Sequence, residues 1–168
     1  MTLDKSKKRG RPAQLLQIAE LHAFVDYLSQ KKDRSELQND VIAMLRAENF
    51  NFDSLSEAEQ ILVKEALKPY REHMKLNLLF DEVSVQYPQT AYEKKFVQLF
   101  EAYRDNELSG ADFNILKTMA TRYLSFKAHK LELSDLELYL SQIQKKEANK
   151  KRTAENHRKF ELGGAVLA

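Results

Sequence analysis

Apolar side chains recur along this chain at intervals of three and four, the spacing of one helix face, with polar residues between. Leu15, Ile18, Leu21, Val25 and Leu28, widened by Leu16, Phe24 and Tyr27, predict a helix over 13–30. Ser35 followed by Gln38 is a capping-box pair and starts a second helix through Val41, Ile42, Met44 and Leu45. A turn over 49–54 carries Phe50 and Phe52, both expected on the core. Ser56 with Glu59 starts a helix through Ile61, Leu62, Ala66 and Leu67. Pro69 lacks an N–H and is expected to break or kink it, with a further segment from Tyr70 to about Phe80. Val83 and Val85 are compatible with a few extended residues before Pro88.

Thr90 with Glu93 opens the next helix, whose Tyr92, Phe96, Leu99, Phe100 and Tyr103 form an aromatic stripe. Such rings can stack on single-stranded bases. Without Arg or Lys interleaved on the same face they are expected in the core. Ser109-Gly110 separates that helix from an antiparallel neighbour that buries Phe113, Leu116, Ala120, Tyr123 and Leu124. Ser134 and Glu137 are the expected cap of the last helix, packed through Leu136, Tyr139, Leu140 and Ile143. Beyond Gln144 the apolar stripe stops, yet nothing interrupts the helix before Gly163-Gly164, a sound C-cap. Glu147 with Lys151 and Glu155 with Lys159 stand in the favoured i,i+4 order. From Asp135 to Leu162 the helix would reach ~40 Å at ~1.5 Å per residue, about half of it projecting from the body.

The pattern therefore predicts an all-α fold: a compact body of five to seven helices over 13–133, a disordered basic tail over 1–12, and a long protruding basic helix over 134–168. Four glycines and three prolines in 168 residues disfavour a loop-rich or all-β alternative. The first two helices form an ordinary hairpin. A helix-turn-helix would present Glu36 and Asp40 to phosphates at the start of its second helix, which disfavours recognition there.

Charge changes the picture. The net charge of +2 conceals a segregation: residues 1–12 carry +4, residues 13–144 carry −6, and residues 145–159 carry +5. An acidic body with two basic ends can aim a nucleic-acid contact, because the body repels phosphate where contact is unwanted. The candidate DNA-binding residues are Lys7, Lys8, Arg9, Gly10, Arg11 and Pro12 at one end. At the other they are Lys145, Lys146, Lys150, Lys151, Arg152, Arg158 and Lys159.

Arg9-Gly10-Arg11-Pro12, flanked by Lys7 and Lys8, resembles the AT-hook, a minor-groove peptide motif. Gly10 has no Cβ, so the backbone can approach the groove floor while Arg9 and Arg11 extend in opposite directions into the negative potential of an A·T tract. Pro12 fixes φ on the way out. The other end, Lys150-Lys151-Arg152-Thr153-Ala154-Glu155-Asn156-His157-Arg158-Lys159-Phe160-Glu161-Leu162-Gly163-Gly164-Ala165-Val166, resembles the TraD-type conjugal transfer and mobilisation proteins of bacterial plasmids, in which a basic helix runs into a leucine-glycine-glycine element. That resemblance implies a plasmid-borne accessory factor acting near the transfer origin or with a relaxase. The matching positions are Lys151, Arg152, Arg158, Lys159, Leu162, Gly163 and Gly164. Residues 13–144 have no counterpart in that family.

Catalysis is not expected. His22, His73, His129 and His157 are too scattered for a metal pair at helical spacing, and neither a Gly-rich phosphate loop nor a nucleophile elbow is present. The absence of cysteine excludes disulfides, zinc knuckles and thiol chemistry, and fits a reducing cytoplasm. No cofactor or metal is called for. No apolar run approaches a membrane span, so a soluble cytoplasmic protein without membrane contact is the expectation. The alternative is a non-enzymatic helical interaction protein whose basic ends bind an acidic protein partner.

Overall fold

Three of the four predicted capping pairs start their helices, and Ser109 caps a fourth helix. Ser35 and Thr90 each accept from the backbone N–H three residues on, while Gln38 and Glu93 reach back to the cap. Ser56 and Glu59 do the same, and Ser109 accepts from Asp112 N–H. Each such cap is worth about 1 kcal/mol of helix stability. The computed structural model describes residues 16–166. Among these, six α-helices follow in order: α1 (Ile18–Gln30), α2 (Glu36–Ala47), α3 (Glu57–Ser84), α4 (Ala91–Arg104), α5 (Gly110–Lys127) and α6 (Leu133–Val166), with a 3-10 turn at Phe52–Ser54. The chain is all-α, and no helix of the described residues is long and apolar enough to cross a membrane.

The buried side chains of the described helices gather into two cores. The chain divides at Met74/Lys75. In the first unit Leu21, Phe24, Val25 and Leu28 of α1 bury against Val41, Ile42 and Leu45 of α2 and against Val63, Leu67 and Tyr70 of α3. Phe50 and Phe52 pack at its edge, as expected. Arg71 holds Glu20 through two hydrogen bonds of 2.7 and 2.9 Å, tying α3 to α1. In the second unit Leu76, Leu79 and Val83 of α3 join α4, α5 and the first turns of α6. The aromatic stripe of α4 lies here: Tyr92, Phe96, Leu99 and Phe100 are buried and Tyr103 is partly so. Tyr103 stacks on Phe113 and Tyr92 on Tyr123, a register that makes α4 and α5 antiparallel. A helix of 28 residues serves both cores because it is ~42 Å long at ~1.5 Å per residue, more than one small core can cover.

α1 begins at Ile18, so Leu16 and Gln17 precede it and residues 13–15 lie outside the described part. Pro69 does not end α3, which runs through it. Both Pro69 and Glu65, whose carbonyl loses its partner, are on the exposed side where water can replace the missing bond. Buried Leu67, Tyr70 and Leu76 hold the helix together across the defect. Pro69→Ala is expected to raise the unfolding free energy by about 1–3 kcal/mol, read from urea melts, by restoring that bond. Val83 is helical and buried, not extended, and α3 ends at Ser84.

Three helices stop without glycine. Asn49, Asn106 and His129 take positive φ, and the two N–H groups that follow each helix bond back to its last turn in the Schellman pattern. Phe50 also has positive φ, at 61°, a costly state for an aromatic residue. Its ring stacks on His22 at 3.7 Å.

Candidate nucleic-acid interface

The last helix starts one residue before the expected cap. Asp135 accepts from Glu132 N–H at 2.9 Å, so Glu132 takes the cap position and Ser134 falls inside the first turn. Leu136, Leu140 and Ile143 are buried against the second core, and Arg122 lies over the Tyr139 ring at 4.5 Å. Lys95 of α4 then holds Glu147 at 2.7 Å, the last tie between α6 and the rest of its unit. Glu147 is thus committed to a partner 52 residues away instead of Lys151.

From Gln144 to Gly164 every residue is exposed. The 34 residues of α6 span ~51 Å at ~1.5 Å per residue, longer than the sequence expectation because the helix does not stop at Gly163. It continues to Val166, and no glycine of the described residues has positive φ. A Schellman turn gains from an apolar contact back onto the preceding turn. Phe160 is 81% exposed, so no such contact draws the chain back, and Gly163-Gly164 is not a cap.

All seven predicted basic residues of this end, Lys145, Lys146, Lys150, Lys151, Arg152, Arg158 and Lys159, sit on this exposed segment. None pairs with a carboxylate among the described residues. They surround the helix, but not evenly. Lys145, Arg152 and Lys159 repeat every seven residues and form one row, and Lys151 with Arg158 forms a second beside it. Glu155 stands between the rows, three or four residues from Lys151, Arg152, Arg158 and Lys159, without closing an ion pair to any. Exposed pairs of this kind contribute little to stability. A carboxylate there does oppose a phosphate. Glu155→Gln is expected to tighten binding to a DNA duplex about two- to fivefold at low salt, with the gain fading as salt rises.

Lys7, Lys8, Arg9, Gly10, Arg11 and Pro12 lie outside the described residues. The four histidines are spread: His22 on Phe50, His73 beside Tyr27, His129 at the end of α5, and His157 facing Glu161. No cluster of three metal-ligating side chains occurs among the described residues. The tie from Lys95 to Glu147 left no sequence signal, because both residues read as ordinary surface charges on different helices. No family model matches this chain, and no curated protein or solved structure matches it either.

Proposed function

We propose that this chain is a non-catalytic, cytoplasmic DNA-binding accessory protein that holds duplex DNA through its exposed basic helix. The observation that carries the reading is the run of exposed residues from Gln144 to Gly164, with seven cations free of carboxylate partners among the described residues. Such a segment buries no apolar surface, so folding does not account for its composition. Phosphate does. Each contact to a phosphate releases condensed counterions, which gives affinity without needing a shaped pocket. The helix requires no large rearrangement to bind, because its backbone bonds are already formed.

The AT-hook-like Arg9-Gly10-Arg11-Pro12 adds the choice of sequence, reading A·T-rich minor groove while the C-terminal helix anchors to the backbone. The proposed setting is plasmid transfer or mobilisation, with a relaxase or another transfer protein as partner. That rests on the resemblance of residues 150–166 alone. The test is an anisotropy titration of the intact chain with A·T-rich and G·C-rich duplexes of equal length. Arg9→Ala with Arg11→Ala is expected to weaken A·T binding by about 1–3 kcal/mol per lost arginine contact and leave G·C binding nearly unchanged. Equal loss on both duplexes would reduce residues 7–12 to a phosphate anchor. Absence of binding to either duplex at low salt would favour an acidic protein partner instead.

A further inference from the structure

In the first unit, residues of α1, the turn after α2 and α3 line an open, solvent-facing cavity of about 720 Å³. That lies within the ~300–1,000 Å³ typical of small-molecule sites. Its lining has two chemistries. Ile18, Phe50 and Phe52 contribute apolar surface, while Lys64, Lys68 and Arg71 stand at i, i+4 and i+7 and so present three cations along one face of α3. Arg71 is engaged by Glu20. Lys64 lies 5.4 Å from the centre of the Phe52 ring, and neither it nor Lys68 has a carboxylate partner among the described residues. Asp53 is the one acidic residue of the described lining, which leaves an excess of positive charge.

We propose that this cavity binds a small amphipathic carboxylate, a free medium-chain fatty acid in chemical class, with its head on Lys64 and Lys68 and its chain against Ile18, Phe50 and Phe52. A purely apolar ligand would leave the two ammonium groups unused. A simple inorganic anion would leave the aromatic wall wet. Only a ligand with both parts satisfies both surfaces. Phe50 adds an independent sign, since a bulky residue kept at positive φ is the kind of local strain that collects at ligand sites. Its stacking on His22 holds the ring at the cavity wall.

Calorimetric titration of the intact chain with octanoate, 1-octanol and acetate tests this. Octanoate is expected to bind saturably at one site, with octanol and acetate each roughly tenfold weaker or worse. Lys64→Gln with Lys68→Gln is expected to lower octanoate affinity roughly ten- to hundredfold and leave octanol unaffected. Both residues are exposed, so circular dichroism should show the fold unchanged. Ile18→Asp, also at an exposed position, is expected to weaken octanoate comparably by placing a carboxylate beside its chain. No saturable octanoate binding, equal affinity for octanol, or an undiminished affinity in the double variant would each overturn the assignment.

Discussion

Replacing Lys145, Lys146, Lys150, Lys151, Arg152, Arg158 and Lys159 together by Gln is expected to cut duplex affinity by ~10³-fold or more near 0.1 M salt. The magnitude follows from counterion release. If four or five of the seven cations meet phosphates at once, the slope of log K against log salt changes by about 0.9 per contact, near four units in all. Gln keeps the helix propensity of the segment close to that of Lys and Arg, so helical content should hold. Thermal stability should hold as well, since every residue from Gln144 to Gly164 is exposed. Fluorescence anisotropy at two salt concentrations, with circular dichroism as the control, separates the two readouts. An unchanged affinity and slope with intact helicity would remove α6 from the interface.

The second large effect concerns the buried polar centre of the second unit. Glu93 is the only buried charged side chain of the described residues. It accepts from Tyr123 Oη at 2.6 Å and from Thr90 N–H at 2.7 Å. Desolvation pushes its carboxyl pKa up, but the bonds from Tyr123 and Thr90 together outweigh burial, and the net shift is downward. Tyr123 is pushed the other way, by burial first and then by its bond to Glu93. Glu93→Ala removes the reciprocal half of the α4 capping box and takes the acceptor from the buried Tyr123 hydroxyl, and is expected to cost about 2–4 kcal/mol in urea unfolding.

The pH dependence has a definite sign. A carboxyl whose folded pKa lies below its unfolded value of about 4.5 stabilises fully above that pH, and the contribution is lost as pH falls through the folded value. Tyr123→Phe deletes one of the bonds that lower the pKa. It should therefore destabilise by about 1–3 kcal/mol at pH 7, with the gap from the parent narrowing on acidification below about 4.5. A gap that widened toward acid would show that the bond does not favour the carboxylate.

Helix starts were the most legible part of the chain. Ser35, Ser56 and Thr90 announce them because a side-chain acceptor at the cap and a partner three residues on are local chemistry. The apolar stripes likewise placed Phe96, Leu116 and Leu140 in a core. Helix ends were harder. The sequence signal for a stop is glycine, but Asn49, Asn106 and His129 perform that role while Gly163 and Gly164 stay helical. Pro69 misled for a related reason: its local penalty is overridden by burial on both sides, which no window of sequence contains.

The division into two cores was hidden too, since α3 reads as two helices when Pro69 is taken as a break. For the candidate interface, the seven cations and their exposure on a protruding helix could be read from the end of the apolar stripe at Ile143. The anchor from Lys95 to Glu147 and the lining of the first-unit cavity could not, because each joins residues far apart in sequence.

The exposed basic helix is proposed to hold nucleic acid. The most direct test of that role is the salt dependence of duplex binding by the intact chain, followed by anisotropy from about 0.05 to 0.2 M salt. Measurable binding is expected at the low end, with a steep linear fall of log K with log salt, by four units or so per decade from α6 if four or five of its cations meet phosphates. No binding at the lowest salt, or binding that salt leaves unchanged, would contradict it.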